Sequence, residues 1–301
     1  MLYENIIQTI GKTPVVKIHG FDEENRGTVY AKLEFFNPGG SAKDRIGAYI
    51  IEKMEKSGVL KKGDTLVEPT SGNTGIGMAM VCACKGYNSI FVMPESMSME
   101  RKRILQAYGA KIVLTPADKG MQGSIEKAEE LAGNPHHIML RQFENLDNPA
   151  AHYFTTAEEI IEDFKDLDNL VAGVGTGGTL SGVSKRLKEV YNLTSIAVEP
   201  LNSAVLSGKK AGAHTLMGIG AGFIPKTTDM NMIDRIIPVS DEDAIDTARN
   251  CAVTNGILLG FSGGAALFAA LETAKLNKNS TTLCIIPDNG ERYLSTKLYE
   301  F

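Results

Sequence analysis

From residue 64 the chain alternates short apolar runs with amphipathic ones, and this alternation limits the fold more than any other feature. Strand-like runs stand at Thr65–Pro69, Ile90–Pro94, Lys111–Thr115 and His137–Gln142, with helical patterns near 73–86, 97–108 and 119–132. A second series has strands at 169–174, 195–199, 235–239 and 282–287, and helices at 178–190, 241–255 and 263–276. Strands separated by helices predict parallel sheets with right-handed crossovers. The fold class is α/β, with two lobes, each a mainly parallel twisted sheet flanked by helices. The boundaries are 45–145 for a smaller lobe and 1–44 plus 146–301 for a larger one. Ligands of such sheets collect at the carboxyl ends of the strands, here a cleft between the lobes.

A chain of 301 residues with 43% hydrophobic and 22% charged residues has the balance of a folded globular protein. Its net charge of −5 gives no basic footprint for nucleic acid. No apolar run reaches membrane-spanning length, and Met1-Leu2-Tyr3-Glu4-Asn5 lacks the basic start and apolar core of a signal peptide. The expected compartment is the cytoplasm. Cys82, Cys84, Cys251 and Cys284 have no metal spacing and are expected as reduced core thiols, and the five histidines form no ligand set. No metal is expected.

Asn37-Pro38-Gly39-Gly40-Ser41-Ala42-Lys43-Asp44-Arg45 joins a strand-like run to an amphipathic helix. Ser41 is the expected N-cap, and Asp44 suits the positive end of a helix. Lys43 does not suit it. A cation there opposes the helix dipole, which lowers a lysine's pKa and favours a nucleophilic amine of the kind that condenses with carbonyls. The alternative is a surface lysine that tolerates its position.

Two further strand-to-helix turns carry small hydroxyl and glycine residues. Glu68-Pro69-Thr70-Ser71-Gly72-Asn73-Thr74-Gly75 surrounds one helix start with hydroxyls and an amide, a pattern for a carboxylate or phosphate, with ordinary capping by Ser71 or Asn73 as the alternative. Gly173-Val174-Gly175-Thr176-Gly177-Gly178-Thr179 satisfies G-x-G-x-x-G through Gly173, Gly175 and Gly178, and Glu199 ends the next strand where a ribose-binding acid stands in dinucleotide folds. An NAD-dependent oxidoreductase therefore stays open, although the threonines favour a single phosphate. Gly260-Phe261-Ser262-Gly263-Gly264-Ala265 opens another helix, with Ser262 as cap or ligand group. The stretch from 201 to 233 is too long for a simple connection and reads as a functional loop.

Taken together, these stretches resemble the O-acetylserine sulfhydrylase (cysteine synthase) family of fold-type II pyridoxal-phosphate enzymes. The resemblance runs from Asn5 through Leu298, over Asn37–Arg45, Glu68–Gly77, Met93–Arg101, Thr115–Gly123, Gln142–Asn145, His152–Thr156, Gly175–Gly182, Gly218–Pro225, Gly256–Ala266 and Gly290–Lys297. It implies a tryptophan synthase β-subunit-like fold with pyridoxal 5′-phosphate in the cleft. Lys43 is then the catalytic residue and holds the cofactor aldehyde. Gly175, Thr176, Gly177, Gly178 and Thr179 hold its phosphate, Asn73 its ring 3′-oxygen and Ser262 its pyridine nitrogen. Thr70, Ser71, Gly72, Asn73, Thr74 and Gln142 take the substrate carboxylate, and Gly218 and Gly220 face the substrate side chain. The smaller lobe is then the mobile, carboxylate-binding one, and the larger holds the cofactor phosphate.

The implied reaction is β-replacement, O-acetyl-L-serine and sulfide giving L-cysteine and acetate through an α-aminoacrylate. The implied partners are the amino-acid substrate, sulfide or a thiol, a second copy in a homodimer, and a serine acetyltransferase C-terminal tail in the cleft. Cystathionine β-synthase and sulfide-releasing or lanthionine-forming cysteine lyases share the same motifs. A binding protein that retains the fold is the non-enzyme alternative, and it requires a broken catalytic set. Gly263 in place of a second serine, Met217 before Gly218 in place of glutamine, and Ala157-Glu158 in place of Gly-Pro depart from the family pattern. The first two bear on the entrance and on substrate choice.

Overall fold

A computed structural model describes residues 1–70 and 72–300. The chain divides into two compact units, one of Met1–Ile10 and Asn37–Asp147, the other of Gly11–Phe36 and Asn148–Phe301. The turn at 37–44 thus counts with the smaller unit, where the sequence boundary put it with the larger.

In the smaller unit, α1 (Lys43–Lys56), β3 (Thr65–Pro69), α2 (Asn73–Lys85), β4 (Asn88–Pro94), α3 (Met99–Ala107), β5 (Lys111–Thr115), α4 (Gly120–Ala132) and β6 (His137–Met139) follow one another. Their strands form a parallel sheet of order β5-β4-β3-β6. β3 and β4 are buried at nearly every position, so they read as continuous apolar runs and take the centre. β6 stops at Met139, short of the expected Gln142, because Arg141 turns into the left-handed region at φ 58°.

The larger unit contains β1 (Val15–Lys17), β2 (Thr28–Leu33), α5 (Asp147–Phe154), α6 (Thr156–Asp163), β7 (Asn169–Gly173), α7 (Gly178–Leu187), β8 (Thr194–Pro200), β9 (Arg235–Val239), α8 (Asp241–Asn255), α9 (Phe261–Ala274) and β10 (Thr281–Ile286). Its sheet has the order β1-β2-β10-β7-β8-β9, and only β1 is antiparallel to its neighbour. Pro14 precedes β1, and β1 is an edge, as a residue without an N–H requires. α9 is the central helix, buried along most of its length. Gly264 lets it approach α8 closely, since any side chain there would run into the Ala244 carbonyl.

A buried ion pair fastens β2 to α6. Lys32 is fully buried, and its Nζ stands 2.9 Å from Glu159 Oε2 and donates to the Thr13 carbonyl at 3.0 Å. Glu159 also accepts the backbone N–H of Lys12 at 2.9 Å. Such a pair is costly to break from one side, because it strands a charge away from water.

The cysteines divide. Cys82, Cys251 and Cys284 are buried, but Cys84 is exposed, which corrects the expectation of four core thiols. Positions two apart on a helix point to different sides, and α2 has one dry side and one wet one at that point. No helix among the described residues is long and apolar enough to cross a membrane.

Candidate active site

In the smaller unit, Lys43 is the first residue of α1. Its N–H donates to Ser41 Oγ at 3.2 Å, but Ala42 holds the cap position, so Ser41 acts one residue before the expected place. The turn ahead of it is fixed by Asp44, fully buried, whose Oδ2 accepts the Gly39 N–H at 2.6 Å. A side chain on Gly39 would collide with that carboxylate, so this glycine is needed for close approach. α1 lies backbone to backbone on α2: a Cβ on Gly47 would stand 3.2 Å from the Gly77 carbonyl carbon, and one on Gly77 would stand 2.9 Å from the Lys43 carbonyl oxygen. Gly77 is about one helical turn beyond Asn73. The lysine backbone is therefore set against the start of α2.

That start is open. Gly72 is the cap and supplies no side chain, so the first amides of α2 carry the partial positive charge of the helix end. Around it stand Thr70, Asn73 and Thr74. Thr70 Oγ1 accepts the Gly72 N–H at 3.3 Å, and the Thr74 hydroxyl donates to Gln142 Oε1 at 2.6 Å. Thr70, Thr74 and Gln142 are all buried. Arg101 of α3 adds a cation that sequence reasoning missed: a Cβ on Gly72 would stand 3.5 Å from its Nη1. Only the pairing of α2 with α3 brings it there. Ser71, expected in this set, lies outside the described residues.

In the larger unit, α7 also opens without a side-chain cap, and Gly177 at its cap has φ 78°. A side chain at Gly177 would be strained and would strike Thr228. The Thr176 carbonyl accepts the hydroxyls of Thr227 at 2.5 Å and Thr228 at 3.2 Å, and its own hydroxyl accepts from Asn148 at 3.0 Å. Thr179 Oγ1 is 3.0 Å from His152 Nε2, and His152 Nδ1 is 2.9 Å from Thr156 Oγ1. Hydroxyls gathered at a helix start with no acidic residue in its first turn have the chemistry to accept an anion.

The loop before residue 222 packs against this turn. A side chain on Gly175 would overlap the Gly218 carbonyl, and one on Gly218 would stand 3.5 Å from Ser262 Oγ. Gly218 and Gly220 have φ 93° and 70°, and Ile219 between them is buried. Ser262, 2% exposed, is the second residue of α9 and not its cap, which is Gly260.

The Glu199 carboxylate is engaged inside the protein. It accepts the N–H groups of Leu206 at 2.7 Å and Ser207 at 3.1 Å and the Ser207 hydroxyl at 2.6 Å. It ties down a loop and does not face a ribose. The three departures from the family pattern also find places. Gly263 packs on Ile286 and Leu259, where a Cβ would stand 3.2 and 3.4 Å away, so it belongs to the core and not to an entrance. Ala157 is fully buried, and Glu158 pairs with Arg186 at 2.6 Å. Met217 is 43% exposed.

In the smaller unit, a lysine at one helix start lies against a second helix start that has no side-chain cap. In the larger unit, another helix start without a side-chain cap is accompanied by the buried Ser262 hydroxyl. The chain belongs to the pyridoxal-phosphate dependent enzymes, whose family model matches residues 6–288, and its fold is the type II fold of that class. It is similar over its length to the cysteine synthase of Staphylococcus aureus, 53% identical with 99% of this chain and 97% of the relative covered. The cysteine synthase of Entamoeba histolytica superposes with a TM-score of 0.97 at 43% identity, covering 100% of this chain and 92% of that one. The O-acetylserine dependent cystathionine β-synthase of Helicobacter pylori superposes with a TM-score of 0.94 at 42% identity, with 100% of both chains covered.

Proposed function

We propose that the protein makes L-cysteine and acetate from O-acetyl-L-serine and sulfide by β-replacement. The observation that carries this reading is Ser262: the group buried beside Gly218 is a neutral hydroxyl, where a strong electron sink would need a carboxylate.

Bound pyridoxal phosphate supplies an electron sink for the charge that develops at the substrate Cα. The α7 amides with the Thr176 and Thr179 hydroxyls would hold its phosphate, Asn73 its 3′-oxygen, and Lys43 Nζ its aldehyde carbon. Ser262 Oγ would face the ring nitrogen as a neutral partner that holds no proton there, chemistry that would favour loss of acetate from Cβ over transamination. The amides of α2 with Ser71, Thr70, Thr74 and Gln142 hold the substrate carboxylate by charge-assisted bonds. Lys43 Nζ takes the proton from Cα and returns it after sulfide has added at Cβ. Gly218 and Gly220 leave room for the departing acetate and the entering sulfide. A homodimer and the acetyltransferase tail belong to the same reading, and sedimentation with and without that tail tests them.

The test is the steady-state rate with O-acetylserine, serine and cysteine, each with sulfide or homocysteine. The pair O-acetylserine and sulfide is expected to lead. Faster turnover with homocysteine, the nucleophile of cystathionine synthesis, or with cysteine as first substrate, overturns the assignment of substrates while leaving the reaction class intact.

A further inference from the structure

The Glu68 carboxylate takes no part in the chemistry set out above. It stands one residue before the end of β3 and is 1% exposed. Both oxygens are spent on a single turn: Oε2 accepts the Arg141 N–H at 3.0 Å and Oε1 the Gln142 N–H at 3.1 Å. This is the turn at which β6 fails to run on, and Arg141 holds φ 58°, a conformation that L side chains avoid. The Gln142 side chain then accepts the Thr74 hydroxyl at 2.6 Å. The strand carboxylate, the turn, the Gln142 amide and the first turn of α2 are linked in series, all within the smaller unit.

We infer that Glu68 is a positioning residue for substrate binding, its ionised form clamping the 141–142 turn so that Gln142 is held against Thr74 at the open end of α2. This rests on the reading in which that end holds the substrate carboxylate. Two backbone donors need two acceptor oxygens, and a carboxylate offers both where a protonated acid or an amide does not.

Burial pushes the Glu68 carboxyl up to about 7 from its ordinary 4.5, against the N–H groups of Gln142, Arg141 and Leu140 and the Arg141 charge, which lower it. The residue opposite on β4, Phe91, brings no charge. The clamp therefore loosens as pH falls through about 7. Its effect on stability has the opposite sign. The folded protein binds this proton more tightly than the unfolded chain, so the contribution of Glu68 to stability declines as pH rises from 4.5 to about 7 and is level above.

The test compares holoenzyme variants in KM for O-acetyl-L-serine at saturating sulfide. Glu68→Gln should raise KM about ten- to a hundredfold, the effect of a lost hydrogen bond to a charged group, with kcat much less affected. The wild-type KM should rise on acidification below about 7, and this rise should be absent from the variant. Adding Arg141→Gly should restore part of the loss, because glycine takes the left-handed turn without a clamp. A wild-type KM and pH profile in Glu68→Gln, or a double variant no better than the single one, overturns the proposal. Gln142→Ala separates the two levels: an unchanged KM there overturns the carboxylate reading and this inference with it, whereas a raised KM beside an unaffected Glu68→Gln removes Glu68 alone. If Glu68→Gln does not fold, Arg141→Gly by itself decides, since it should flatten the pH dependence of KM, and an unflattened profile overturns the clamp.

Discussion

The carbonyl oxygen of Lys43 stands 2.9 Å from where a side chain on Gly77 would begin. The base of the lysine and the helix that starts with Asn73 are thereby packed with no intervening side chain. Gly77→Ala must push α1 away from α2. Overpacking of this kind costs roughly 1–3 kcal/mol of stability. Displacing a reacting group by about 1 Å can cost on the order of 100-fold in rate. Thermal unfolding and kcat, measured together, check this, and a variant as active as the wild type would show that Lys43 does not depend on that packing.

Lys43→Ala should fold normally, because alanine is well suited to a helix start. It should lose more than about a thousandfold in kcat, equivalent to ~4 kcal/mol in the barrier. Circular dichroism and turnover decide it. A smaller loss would assign the proton transfer to another group.

Thr179→Ala should weaken cofactor retention without touching the chemical step. It removes one hydroxyl from a charged phosphate, worth roughly 1.5–3 kcal/mol. His152 stands 3.0 Å behind that hydroxyl and fixes its direction, so His152→Ala should weaken retention in the same sense and to a lesser degree. Cofactor content after dialysis, set beside kcat at saturating cofactor, is the measurement. Full retention with a collapsed kcat would reverse the role of Thr179.

Ser262→Asp places a carboxylate where a neutral hydroxyl stands beside Gly218. A carboxylate favours the protonated pyridine nitrogen and so a stronger electron sink. Elimination of acetate should slow relative to return of the Cα proton, and rapid-scanning spectra with O-acetylserine should gain a long-wavelength band absent from the wild type. Spectra and rates identical to wild type would remove Ser262 from the ring nitrogen.

The cysteines give a prediction independent of the chemistry. Burial pushes the thiols of Cys82 and Cys251 up to about 12 and that of Cys284 higher still, so all three are protonated and dry at neutral pH. Cys84 alone is exposed. A thiol reagent in excess should label the native protein once, at Cys84, by peptide mass spectrometry. Rapid labelling of Cys284 in the native state would contradict the packing of β10.

The candidate site was legible because its residues lie at strand-to-helix turns, where hydroxyls, glycines and a misplaced cation stand out against local expectation. Lys43 and the 175–179 turn are of this kind, and Ser262 stands out in the same way at the glycine-rich turn from α8 into α9. What could not be read depends on partners distant in sequence. Glu68 looks like an unremarkable acid at a strand end until Arg141 and Gln142, 73 and 74 residues on, are found donating to it. The same contact explains why β6 ends at Met139 and not at Gln142: the backbone donors of Arg141 and Gln142 are captured by a side chain. Ser41 stands one residue before the assigned cap, Ala42, yet its hydroxyl accepts the Lys43 N–H as a capping side chain does.

The place of β10 in the larger sheet has a consequence for synthesis. β10, the last strand, lies between β2, made near the start, and β7. By the time Asp147 has been made, every residue of the smaller unit exists, and it can fold while the ribosome is still working. β2 cannot acquire its second neighbour until Ile286 has emerged, a wait of about 10–50 s at ~5–20 residues per second. During that interval the apolar strand Thr28–Leu33 has β1 on one side and nothing on the other. Nascent chains stalled before β10 are therefore the ones in which chaperone capture or aggregation should concentrate.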